Sequence, residues 1–281
     1  MPCGTGCEAD EPERVTSDSM VKVYTIASGK GGTGKTTVTA NLGPMLARYG
    51  KKTCILDADV GMANLGLILG LEDLPVTLHE VLAGKARVRD ATYDGPFGVK
   101  VVPCGLSLQG FQQSNPDRLK DVMTDLVSEF DVLILDAPAG ISRDGVIPLT
   151  IADGVILVVN PEISSIVDAI KTKILTETVG GHVEGAIINR VVGSGDEFNR
   201  AQMEKLLGVR VLGIIPEDPN VRRASAGRSP IVVKYPMSEA SKAFKRLSAD
   251  IGGIEYVEDA APVVREGFVD RLARALFRAK A

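Results

Sequence analysis

Ser28-Gly29-Lys30-Gly31-Gly32-Thr33-Gly34-Lys35-Thr36-Thr37 lies between an apolar run, Val21 to Ala27, and a helical pattern that begins at Lys35. Its spacing is Gly-x4-Gly-Lys-Thr, and a turn of that spacing between a strand and a helix is a phosphate-binding P-loop. The glycines let successive backbone N–H groups converge on phosphate oxygens, and the following helix adds its positive N-terminal end. The whole run from Gly29 to Thr37, Thr33 and Thr37 included, is therefore the predicted cradle. Within it Lys35 reaches the β and γ phosphates and the Thr36 hydroxyl ligates Mg²⁺.

Outward from this loop the chain alternates strand and helix patterns, which predicts a mostly parallel twisted sheet with helices on both faces, an α/β fold of the P-loop NTPase kind. Strands are expected at Val21 to Ser28, Lys52 to Leu56, Val99 to Pro103, Val132 to Leu135, Gly154 to Asn160 and Val183 to Asn189. Helices are expected at Lys35 to Tyr49, Thr77 to Ala83, Pro116 to Phe130 and Ile163 to Thr178, then near 199–207, 219–226 and 239–251. Leu119, Val122, Met123 and Leu126 recur at the three- and four-residue spacing of a buried helix face.

Two strand ends carry carboxylates to the sheet edge where ligands of open α/β folds bind. Asp57 and Asp59 follow the second expected strand, and Asp136 ends the apolar run Val132 to Leu135. In a chain with a P-loop, Asp136 is the Walker B aspartate, which holds Mg²⁺ directly or through water. Asp57 and Asp59 have two readings, as metal or water ligands or as acceptors for their own loop's backbone.

Lys30 stands directly after the first glycine, where the general motif has no requirement. With it, Lys30 to Thr37 resembles the deviant Walker A box of the MinD/ParA family of ATPases. Asp57-Ala58-Asp59-Val60-Gly61-Met62-Ala63-Asn64 resembles that family's switch I, and Asp136-Ala137-Pro138-Ala139-Gly140 resembles switch II of its MinD branch. The likeness runs over about residues 20–250, with the motifs in the family's order. It implies a homodimer that sandwiches ATP, in which Lys30 contacts the nucleotide of the partner subunit. By the same likeness Asp59 orients the attacking water, Asp57 stands behind the direct metal ligands, and Gly61 and Asn64 shape a loop that senses the γ-phosphate. Gly140 offers its N–H to that phosphate, and Asn189 recognises adenine with help from Pro216-Glu217-Asp218, although a strand-end asparagine is also a common turn residue. ATP and Mg²⁺ are the implied cofactors, and slow hydrolysis stimulated by an activator protein is the implied activity.

Composition narrows the partners. A net charge of −4 over 281 residues, no Trp and only 4% aromatic residues speak against an electrostatic or base-stacking nucleic-acid binder, so none is expected. No apolar run reaches membrane-spanning length and the start lacks a signal pattern, so a cytoplasmic location is expected. Four cysteines make no disulfide framework; Cys54 falls in a strand pattern, and Cys3 and Cys7 stand in a polar tail, residues 1–20, expected to be disordered.

After residues 21–253, the expected ATPase domain, come an acidic linker (254–264) and Arg265-Glu-Gly-Phe-Val-Asp-Arg-Leu-Ala-Arg-Ala-Leu-Phe-Arg-Ala-Lys-Ala281. As a helix, this segment gathers Phe268, Val269, Leu272, Ala273, Ala275, Leu276, Phe277 and Ala279 within an arc of about 200°, with Asp270, Arg271, Arg274 and Arg278 opposite; Asp270 slightly weakens attraction to anionic lipid. That is the composition of a helix lying on an anionic membrane surface, reversibly on the inner face of the cell membrane, and it resembles the membrane-targeting helix of the family's MinD branch. The competing reading is an ordinary last helix docked on the domain. Three rival functions remain at this stage: a DNA-partition ATPase of the same family, an iron–sulfur carrier using Cys3 and Cys7, and a metabolic kinase or synthetase.

Overall fold

The computed structural model describes residues 21–140, 143–195 and 197–256. The expectations for the tail (1–20), most of the linker and the amphipathic helix (265–281) lie outside these residues. Eight strands form one sheet: β1 (Lys22–Ala27), β2 (Thr53–Asp57), β3 (Tyr93–Asp94), β4 (Lys100–Val102), β5 (Val132–Asp136), β6 (Gly154–Val159), β7 (Val183–Val191) and β8 (Val211–Pro216). Their order is β3-β4-β2-β5-β1-β6-β7-β8, and every pairing is parallel except β3 with β4.

The helices are α1 (Lys35–Arg48), α2 (Leu65–Leu69), α3 (Leu78–Leu82), α4 (Leu108–Gln113), α5 (Leu119–Leu126), α6 (Arg143–Ile151), α7 (Ile163–Thr178), α8 (Arg200–Leu207), α9 (Pro219–Ala226), α10 (Ile231–Lys234) and α11 (Glu239–Gly252). Alternate strand residues feed two layers, as the two-residue period of a strand requires. On β5, Val132 and Ile134 join a core with α1, α2, α9, α10 and α11, while Leu133 and Leu135 point to the opposite face, where α3 and α5 pack. Beyond β1 the same face is covered by α6, α7 and α8. Strands β2, β5 and β6 are buried along their whole length, which is why they read as unbroken apolar runs.

The expected elements are present, joined by short ones the sequence pattern did not mark, β3, α2, α4, α6 and α10, and three further differences bear on the sheet and its flanks. The helix expected over 116–130 is a 3-10 turn at Pro116–Arg118 followed by α5, which ends at Leu126. Strand β7 continues two residues past Asn189. The edge strand β8 has no counterpart in the sequence reading; Gly213 interrupts its apolar run, and a Cβ there would lie 3.0 Å from Leu247 of α11. Cys54 is fully buried, as expected of a core residue, and burial pushes its thiol up to about 12. Among the described residues no helix is long and apolar enough to cross a membrane.

Candidate functional site

The parallel strands β1, β2, β5 and β7 end at one edge of the sheet, and the predicted site residues gather there. Between β1 and α1, Gly34 takes a left-handed conformation (φ 100°) as the N-cap of α1, which any Cβ would strain and which leaves no room for one beside the Asn189 amide. Lys35 follows as the first residue of α1 and is only 8% exposed, so its ammonium is held inside the loop. The Thr33 hydroxyl is buried without a hydrogen-bond partner. Gly29 approaches the Asp168 backbone of α7 so closely that no side chain fits between them.

Beside this cradle stands an oxygen cluster. Register pairs Asp57 at the end of β2 with Asp136 at the end of β5, and both are buried. The Thr36 side chain faces Asp136, and the Thr39 hydroxyl donates to its Oδ1 at 3.4 Å. Burial pushes both carboxyls above their usual range; the charge of Asp136 raises Asp57 further, while Thr36 and the Lys35 ammonium work the other way on Asp136. A buried set of carboxylate and hydroxyl oxygens, with three aspartates facing the single ammonium of Lys35, fits a hard cation such as Mg²⁺.

Asp57 spends its oxygens on its own loop. It accepts the N–H groups of Asp59 (3.2 Å), Asn64 (3.2 Å) and Leu65 (3.1 Å), and so fixes residues 59–65 against the sheet. Asp59 is half-buried; its Oδ1 accepts the Met62 N–H at 3.0 Å, and Gly61 and Asn64 are exposed on the same loop. Asp57 therefore acts as the loop's anchor, the backbone-acceptor alternative, and Asp59 is the freer carboxylate of the two. At the far end of α2, the guanidinium of Arg228 holds Glu72 through two contacts of 2.9 Å.

Gly140 makes a contact the sequence did not mark. Its N–H donates to the Ser28 carbonyl at 3.2 Å, so it closes switch II onto the P-loop. A ligand that used this N–H would have to take it from Ser28. Lys30 points away from the cradle: its Nζ lies 2.9 Å from the Ser164 hydroxyl and 3.3 Å from Glu162, at the start of α7.

Asn189 reaches the loop through a break in the sheet. The β7–β8 register shifts between Ile188 and Val191, and Arg190 has a positive φ of 61°, so the strand bulges and turns Asn189 inward. Its Nδ2 donates to the Thr33 carbonyl at 2.8 Å. Gly34, Thr37, Asn189, Pro216, Glu217 and Asp218 line one cleft. Arg190 and Arg222 each stand 3.8 Å from Glu217, and Asp218 caps α9 through the Asn220 N–H. Sequence reasoning had no means of finding Thr39, Glu162 or Ser164, because each becomes relevant only through contacts with residues about 100 or more positions away.

A parallel sheet, a strand–loop–helix phosphate cradle and an acidic oxygen cluster beside it define a P-loop nucleotide-binding protein. The family description CobQ/CobB/MinD/ParA nucleotide binding domain matches residues 24–231, well over half of the chain. An uncharacterized ATP-binding protein of Methanocaldococcus jannaschii is 47% identical over 258 residues, which cover 92% of this chain and 97% of the relative. The cell division ATPase MinD of Pyrococcus furiosus superposes with a TM-score of 0.80 at 39% identity, covering 83% of this chain and 99% of that one. MinD of Pyrococcus horikoshii, solved in complex with Mg-ADP, superposes with a TM-score of 0.79 at 36% identity, covering 83% and 96%. The chain belongs to the MinD/ParA family of nucleotide-binding proteins.

Proposed function

We propose that this chain is a MinD-like ATP hydrolase in which ATP-dependent dimerisation controls reversible attachment to the inner membrane surface, serving division-site selection or another spatial-positioning task. The observation that carries this reading is the separation of the two loop lysines. Lys35 is buried in its own cradle, whereas Lys30, one-third exposed, rests on Glu162 and Ser164 outside it. A cation so placed serves its own phosphates poorly and is available to those of a second subunit.

The chemistry of such a site is positioning plus charge stabilisation. Loop N–H groups and Lys35 would hold the phosphates, Asp59 would orient water, and Lys30 of the partner would neutralise charge developing on the transferred phosphoryl group. Mg²⁺, when bound, neutralises the β and γ oxygens, and Thr36 and Asp136 are the residues that would hold it. Adenine would occupy the cleft between Asn189 and Pro216-Glu217-Asp218. Dimerisation would then present two copies of segment 265–281 together, and bivalency raises apparent membrane affinity by roughly 10²–10⁴ over one weakly bound helix.

With ATP, Lys30→Ala is expected to stay monomeric in sedimentation velocity under conditions in which the parent chain dimerises, because the cross-subunit cation is gone. An intact ATP-dependent dimer would remove Lys30 from the interface. Attachment is tested by sedimentation with anionic liposomes, comparing ATP with ADP and the full chain with one ending before Arg265. Pelleting that needs both ATP and the terminal segment is the expected result. Pelleting indifferent to both would overturn the membrane reading, and DNA binding that falls steeply with salt would put a partition role in its place.

A further inference from the structure

His79 joins switch I to the body of the protein. It lies in α3, 2% exposed, with Nε2 3.0 Å from the carbonyl oxygen of Val60. A carbonyl can only accept, so Nε2 carries a proton and the ring is the donor. The other ring nitrogen, Nδ1, is buried with no hydrogen-bond partner, an arrangement that costs stability and that an apolar side chain of similar size would avoid. Two glycines clasp the ring, and a Cβ at Gly105 or at Gly110 would come within 2.7 Å of Nδ1. Its base is firm as well. The Thr77–Glu80 capping box closes the start of α3 with bonds of 2.8 and 2.6 Å, and the Leu78 N–H binds the Pro103 carbonyl at 2.9 Å.

Val60 is the residue after Asp59. On the other side, the Asp59 N–H is held by Asp57, so the backbone around Asp59 is pinned at two points, by a carboxylate from β2 and by an imidazole from α3. We infer that His79 is a positioning residue for hydrolysis: its Nε2–H fixes the Val60 carbonyl and, through that peptide, the direction of the Asp59 carboxylate. The role rests on the reading of Asp59 as the group that orients water. It explains why a polar ring with an unsatisfied nitrogen occupies a site that packing alone would fill better with an apolar residue.

The test compares ATP turnover, ADP affinity and thermal stability of the full chain carrying His79→Met, His79→Gln, His79→Asn or Asp59→Ala. The glutamine amide can place an N–H where Nε2 stands, whereas the asparagine amide falls at Nδ1 and stops short of Val60. Loss of the donor is expected to lower kcat about 10- to 100-fold, as small misplacements of a reacting group do, with KM for ATP and ADP affinity within about twofold. His79→Gln should keep most of the turnover, and His79→Asn should behave like His79→Met, which keeps the comparison informative if the methionine variant folds poorly. Wild-type kcat in a folded methionine or asparagine variant would overturn the inference, as would equal losses in the glutamine and asparagine variants that follow melting temperature. The parallel Asp59→Ala measurement separates the two ideas. If it turns over normally, the underlying reading of Asp59 fails. If it is inactive while His79→Met and His79→Asn are normal, only the role of His79 fails.

Discussion

Replacing Lys35 by alanine is expected to weaken binding of ATP and ADP by about 10²–10⁴-fold. A hydrogen bond to a charged partner contributes about 1.5–3 kcal/mol, and the ammonium would make two such bonds, to the β and γ phosphates. Burial strengthens the case, because at 8% exposure Lys35 cannot be replaced by solvent ions in the closed loop. Its charge also favours ionised Asp136 beside it, so part of the loss would appear in the metal dependence. Titration calorimetry with ADP and Mg²⁺ reads the effect directly, and the melting temperature without nucleotide serves as the control for folding. Normal ADP affinity in a folded variant would mean that the phosphates bind elsewhere.

Asp59→Ala is expected to separate binding from turnover. Its carboxylate makes one backbone contact, with the Met62 N–H, so removal disturbs the loop little. Hydrolysis should fall by about 10²–10⁴, the range associated with a positioned acid–base group, while ATP affinity stays near that of the parent. An ATP-bound dimer should therefore accumulate, visible by size-exclusion chromatography, with phosphate release slowed in a single-turnover experiment. Undiminished release would assign the work to another carboxylate. Asp57 is the informative contrast: three N–H groups depend on it, so its alanine variant should loosen the whole loop and lose affinity along with rate.

Much of the fold was legible because its signals are local. Strands β2, β5 and β6, buried on both faces, have to be continuous apolar runs, and α5 and α7 repeat at helical spacing. Strand β8 was not legible: it is six residues long, contains a glycine and leaves one side partly open, so its pairing with β7 is what makes it a strand. The helix expected over 116–130 is shorter: a 3-10 turn capped by the Asn115 side chain occupies its start, and after Leu126 the chain turns, with the Glu129 N–H on the Leu126 carbonyl.

The phosphate cradle and the Walker aspartate were decided by the sequence itself, since a turn built from glycines with Lys35 and Thr36 at its exit has few other uses, and an aspartate ending a buried strand must reach the sheet edge. Tertiary structure decided which way each remaining side chain works. It gave the oxygens of Asp57 to the loop backbone and left Asp59 freer, turned Asn189 onto Thr33 through a bulge, closed Gly140 onto Ser28, set Lys30 against Glu162, and placed His79 under Val60. Those choices depend on hydrogen bonds between segments far apart in the chain, and the pattern of residues along any one segment does not encode such bonds.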